Sequence, residues 1–141
     1  ARGDLEIRRS RDALIVSVKD SVLFSPDSPQ LRPESLDLLR QLADVFMKVP
    51  ERIVRVEGNT AVAVSSAATL RLYPTSWHLG AARAANVVQC LQEKCSMDPM
   101  QLVVASFGEY RPRADNWTEE GKAKNRRVDF VLVPRATYEN Q

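Results

Sequence analysis

RVDFVLV, Arg127 to Val133, alternates as a strand does, with Val128, Phe130 and Leu132 on one face. Before it lies a polar connection, Gly108 to Arg126, where Thr118-Glu119-Glu120 signals a helix start and predicts a helical turn over 118–124. Further back, LVVASF (Leu102 to Phe107) reads as a core strand and Asp98-Pro99 as a turn. A helix is predicted from about Leu79 to Glu93, because Ala84, Val87, Val88 and Leu91 recur at helical spacing. RIVRVEG (Arg52 to Gly58) sets Val54 and Val56 against Arg55 and Glu57, another core strand. Pro33-Glu34 opens a second helix with one apolar stripe, Leu36, Leu39, Leu42, Ala43 and Phe46, and Pro50 ends it. LEIRR (Leu5 to Arg9) and ALIVSV (Ala13 to Val18) flank a polar break and predict a hairpin. The order hairpin, α, β, α, β, β argues an α/β sandwich: one mixed sheet with helices packed on one face. Phe24 to Arg32 and Asn59 to Ser76 read as loops, and residues 1–4 and 136–141 as polar tails.

The 141 residues suit a single domain, its core spanning about 5–133. No stretch approaches the ~18 apolar residues of a membrane span. Twenty basic residues against eighteen acidic ones leave a net charge of +2, too little to imply nucleic acid. Glu119, Glu120 and Asp129 also interrupt the one basic patch, so no nucleic-acid partner is expected. One histidine and two cysteines argue against structural zinc, and neither metal nor cofactor is expected. No catalytic group emerges either. His78 and Cys90 stand twelve residues apart along one helix, ~18 Å at helical rise, and His78 reads as a residue of the helix start. Cys90 and Cys95 read as two free thiols, since a disulfide would need Cys95 to lie beyond the helix end.

Three stretches hold candidate chemistry. In VRVEGNTA (Arg55 to Ala61), Gly58 frees the backbone and leaves Asn59 and Thr60 at a strand end, or simply makes a turn. In WHLGAARAANVV (Trp77 to Val88), Arg83 sits among alanines. Its planar fork suits a ligand carboxylate, or an internal acid such as Glu57. In ADNWTEEGKAKNRRVDFVL (Ala114 to Leu132), Asn125, Arg126 and Arg127 precede the last strand.

In this order these stretches, with DALIVSVKDSVLFSPDSPQLRPESLDLL (Asp12 to Leu39), YPTSWHLGAARAANVV (Tyr73 to Val88) and FGEYRPRADNWTEEGKAKNRRVDFVLV (Phe107 to Val133), resemble the OmpA-like peptidoglycan-associating domain. Within that family they are most similar to the periplasmic C-terminal domains of its flagellar-stator (MotB-like) branch. The resemblance implies an OmpA-like βαβαββ fold and a non-catalytic module that anchors a stator protein to the cell wall. It implies binding to the peptide stem of peptidoglycan, where an Asp holds the diaminopimelate ammonium and an Arg its carboxylate. The matching ligand-binding residues are Arg83, Arg127, Thr60, Asn59 and Asn125. It further implies a homodimer in the bacterial periplasm, with an upstream helix in the inner membrane and other stator or envelope proteins as partners.

The chain departs from the family pattern in one place above all: Gly-His-Thr-Asp reads Gly58-Asn59-Thr60-Ala61, so the ammonium-binding acid is missing. Ser25, Ser76 and His78 also replace family residues around the same pocket. Losing a charged hydrogen-bond partner costs ~1.5–3 kcal/mol, about tenfold to a hundredfold in affinity. Weakened binding is therefore expected, with Asp27, Glu57 or Asp115 as candidate replacements. The alternative is a degenerate domain kept for dimerisation or protein interaction.

Overall fold

The computed structural model describes residues 4–61 and 65–139. Five strands form one mixed sheet: β1 (Leu5–Ser10), β2 (Ala13–Lys19), β3 (Arg52–Asn59), β4 (Leu102–Gly108) and β5 (Arg127–Pro134), in the order β1-β2-β5-β3-β4. β5 runs antiparallel between β2 and β3, and β4 lies parallel to β3 at the edge. The hairpin register, Leu5 opposite Val18 to Ser10 opposite Ala13, is that of the anticipated β1–β2 turn, with Arg11 at φ 54.

The helices are α1 (Asp20–Leu23), α2 (Ser35–Met47), α3 (Ala67–Leu72), α4 (Ser76–Glu93), α5 (Glu119–Asn125) and α6 (Ala136–Glu139). Strand alternation turns Val16, Val18, Val54, Val56, Val128 and Phe130 to one face, where they meet Leu39, Leu42 and Phe46 of α2 and Ala84, Val87 and Leu91 of α4. Phe46 and Phe130 pack with ring centroids 5.7 Å apart. The mixed sheet with α2 and α4 on one face is the expected sandwich.

Three short elements were not anticipated. α3 interrupts the 59–76 segment, started by Ser66, whose Oγ accepts the Thr69 N–H; residues 62–64 of that segment lie outside the described residues. α1 directly follows β2. α6 lies on the other face of the sheet, where Tyr138 packs against Ile15, Ile53, Val131 and Val133. The expected tail is thus in part a cover for the second face.

Gly58 was expected to loosen a turn, but it permits a crossing. A methyl group there would collide with the Gly80 carbonyl, so β3 and α4 touch backbone to backbone. Gly58→Ala is expected to cost about 1–3 kcal/mol, read as a lowered urea midpoint.

Candidate ligand-binding site

Past the ends of β2 and β3, beside the first turns of α4, lies a cavity of about 850 Å³. Its wall includes Asp20, Phe24 and Asp27, Thr60 and Ala61, Arg83, Glu109 and Tyr110, and Arg126. Thr75 caps α4, its Oγ1 accepting the His78 N–H, which confirms His78 as a helix-start residue. Ser76 Oγ accepts the Glu109 N–H at 3.3 Å, and Gly108 at φ 55 packs against Ser76, so the 108–110 turn is fixed on the helix start. Tyr110 then stacks on Trp77 with centroids 5.1 Å apart at the rim.

Arg83 is 3% exposed and already engaged. Its Nη1 donates to Asp20 Oδ2 at 3.0 Å, its Nε to the Ser28 carbonyl at 3.1 Å, and the guanidinium lies 5.1 Å from the Phe24 ring centroid. The internal partner is therefore Asp20, not Glu57, and the acid comes from the residue after β2. Burial pushes the Asp20 carboxyl above its ordinary value despite the pull of Arg83 and Arg126. Burial likewise lowers Arg83, with Asp20 opposing it.

Arg127 does not reach this cavity. The alternation that sends Val128 to the helices sends Arg127 and Asp129 to the opposite face. There Arg127 Nε donates to Asp129 Oδ2 at 3.1 Å, and Ser17 Oγ donates to Asp129 Oδ1 at 2.6 Å. The arginine at the cavity is Arg126, one residue earlier, where α5 ends; its carbonyl accepts the Asp20 N–H at 3.0 Å. The Arg126 side chain is half-buried and makes no hydrogen bond or ion pair among the described residues.

Asn125 is fully buried and acts as a clamp. Its Oδ1 accepts the N–H groups of Arg113 and Ala114, and its Nδ2 donates to the Ala114 carbonyl, shaping the 110–118 connection. Asn59 is buried behind the cavity wall and donates to the Glu57 carbonyl. Thr60 does line the cavity, and its Oγ1 is buried without a partner among the described residues.

Of the three candidate replacement acids, only Asp27 faces the cavity. It ties two loops together by accepting the Ser66 N–H at 2.9 Å. Burial would raise its pKa, but the bonds from Ser66, Ser65 and Thr69 bring it below the usual carboxylate value. Glu57 pairs with Arg55 on the far face, and Asp115 accepts the Trp117 and Thr118 N–H groups in its own turn. The acid that sequence reading missed is Glu109: it lines the cavity, and its carboxylate makes no ion pair or hydrogen bond among the described residues. Among the described residues the cavity thus offers a cation, Arg126, an anion, Glu109, and a buried hydroxyl, Thr60, whose side chains make no hydrogen bond or ion pair, Arg126 feeling only the attraction of Asp20.

This fold belongs to a known class: the chain is a member of the OmpA family, whose sequence profile matches residues 23–126. It is 29% identical to Motility protein B of Bacillus subtilis over 136 residues, which is 96% of this chain and 51% of that protein. A MotB-like protein from Desulfovibrio vulgaris superposes with a TM-score of 0.86 at 28% identity, covering 94% of this chain and 80% of the other. The cell wall anchor of the T6SS from Pseudomonas aeruginosa does so with a TM-score of 0.81 at 27% identity, covering 93% and 88%. The chain spans about half the length of the Bacillus relative.

Proposed function

We propose that this chain is a non-catalytic peptidoglycan-anchoring module of a flagellar-stator-type protein in the bacterial periplasm. The cavity beside α4 takes the charged end of a peptide stem. Arg126 holds the carboxylate of a diaminopimelate-type residue, Glu109 its ammonium, and Thr60 Oγ1 gives a hydrogen bond. Arg83, bound to Asp20, shapes the wall between them. The observation that carries this reading is that one cavity is lined by a cation and an anion, the complement of a zwitterion, that make no hydrogen bond or ion pair among the described residues, Arg126 being drawn only by the nearby Asp20 charge. The likeness to a motility protein and to a cell wall anchor supports it. In the full-length protein an upstream helix holds the module at the inner membrane, and the module pairs with a second copy and with other envelope proteins.

Co-sedimentation with purified peptidoglycan sacculi tests the reading. The chain is expected to pellet with sacculi. Failure to pellet would favour the alternative, a family member that serves dimerisation alone. Ala61 lines the same cavity, so Ala61→Asp restores a carboxylate beside the ligand's ammonium. Binding is expected to tighten by about tenfold or more. Unchanged retention would mean that the ammonium sits away from position 61.

A further inference from the structure

β1 is an outer strand of the sheet, with β2 on one side and no described strand on the other. Its pairing with β2 runs from Leu5 to Ser10 without a bulge, and it contains no proline or lysine, the usual means of blunting an edge. Successive residues of a strand send their backbone groups to alternate sides. The Lys19 N–H donates to the Asp4 carbonyl at 3.0 Å, so Asp4, Glu6, Arg8 and Ser10 turn their backbone groups to β2. Leu5, Ile7 and Arg9 turn theirs outward. The side chains alternate too: Glu6 and Arg8 stand opposite Ser17 and Ile15 on the far face, and Ile7 stands opposite Val16 on the helix face. Ile7 is 61% exposed. Glu6 accepts from Arg113 Nη2 at 3.1 Å, whereas Arg8 makes no hydrogen bond or ion pair among the described residues, and its Nε is buried without a partner.

We propose that β1 is the surface on which a second copy of this chain docks, strand against antiparallel strand, about a two-fold axis that passes through Ile7. In that register Ile7 meets the partner's Ile7, Leu5 meets the partner's Arg9, and Glu6 meets the partner's Arg8. The outward backbone groups of Leu5, Ile7 and Arg9 then find one another. Arg8, which has no anion within its own chain, gains one from the second copy, and the same pair forms again across the axis.

Charge complementarity selects both the occupant and the register. Moving the axis by one residue sets Glu6 against the partner's Glu6, or Arg8 against the partner's Arg8, and like charges directly opposite destabilise a strand pair. Only the axis at Ile7 sets acid against base on both sides, so the side chains fix the register. An axis normal to the sheet keeps the helices of both copies on one side, and the two sheets run on as one. A single strand pair is a small contact, which holding both copies at one membrane strengthens by raising their effective concentration. The inference deepens the proposed pairing with a second copy and rests on it, but not on the ligand cavity, which no β1 residue lines.

Cysteine trapping reads the register. Directly opposite residues of antiparallel strands stand within disulfide reach, so Ile7→Cys under oxidised glutathione is expected to give linked dimers about fivefold faster than Glu6→Cys or Arg8→Cys alone. Mixed together, Glu6→Cys and Arg8→Cys chains are expected to link to each other as fast as Ile7→Cys links to itself. Peptide mapping identifies the joined positions, since Cys90 and Cys95 are free thiols as well. Adding Arg8→Glu to Ile7→Cys sets acid against acid at both pairs, and linking is expected to fall about fivefold. Equal rates for the three single variants, or no effect of Arg8→Glu, would overturn the proposal. Co-sedimentation of the same variants with sacculi separates the two readings. Pelleting without selective linking at position 7 would overturn the strand interface and leave wall binding standing, and linking without pelleting would do the reverse.

Discussion

Arg83→Ala is expected to cost about 3–5 kcal/mol of folding stability, because it strands the Asp20 carboxylate in a site built around its partner. Removing Arg83 leaves the largely buried Asp20 carboxylate without its bonded counter-ion, with only the weaker attraction of Arg126 to offset its burial. The Arg83 guanidinium's contact with Phe24 and its bond to the Ser28 carbonyl are lost as well. The pH dependence follows from linkage. Asp20 already has a folded-state pKa above its unfolded value, with burial as the main cause, and without Arg83 it rises further. A raised carboxyl destabilises fully above the folded pKa, and the penalty vanishes once pH drops below the unfolded value, ~3.9. The gap between the two proteins in urea denaturation is therefore expected to narrow from pH 7 to pH 4. Replacing both charges, Asp20→Leu with Arg83→Met, is expected to recover most of the loss, since the pair itself returns little beyond its own desolvation. A loss under about 1 kcal/mol for Arg83→Ala would mean that Arg83 is available to a ligand after all.

Arg126→Ala is expected to act in the opposite way, lowering peptidoglycan affinity by about tenfold to a hundredfold while leaving the urea midpoint near that of the unsubstituted chain. Its side chain is half-buried and makes no hydrogen bond or ion pair among the described residues, and Asp20, which it attracts, keeps its bond to Arg83, so folding has little to lose. The backbone carbonyl that accepts from Asp20 is kept in the variant. Arg127→Ala should show the reverse pattern: its guanidinium serves Asp129 and the carbonyls of Asn125 and Arg111, all on the far face. Comparing these adjacent arginines separates a ligand contact from a structural one, with sacculus retention and denaturation measured on the same samples.

The elements with strong periodicity were legible in the sequence. β5, β3, α2 and the body of α4 lie where alternation or helical spacing put them, because each turns one periodic apolar face to the main core, β3 and β5 burying their other face as well. α1, α3 and α6 were not legible. At four to six residues each, they show no period and depend on tertiary contacts such as that of Tyr138. The partner of Arg83 was hidden for another reason: Asp20 and Arg83 are 63 positions apart, and only the folded sheet brings them together. The placement of Arg127 was legible in principle. Once Val128 is on the core face, its neighbour in a strand must face away, and the family correspondence overrode that parity. Glu109 carried no local signal, since its role comes from the Gly108 turn against Ser76.

Calorimetric titration with a diaminopimelate-containing stem peptide, compared with the same peptide amidated at the diaminopimelate carboxylate, tests the central claim most directly. The unsubstituted chain is expected to bind the free acid at least tenfold more tightly than the amide, and Arg126→Ala is expected to bind the two alike. Equal affinity of the unsubstituted chain for both peptides, or a full preference for the acid in the folded Arg126→Ala variant, would contradict the account.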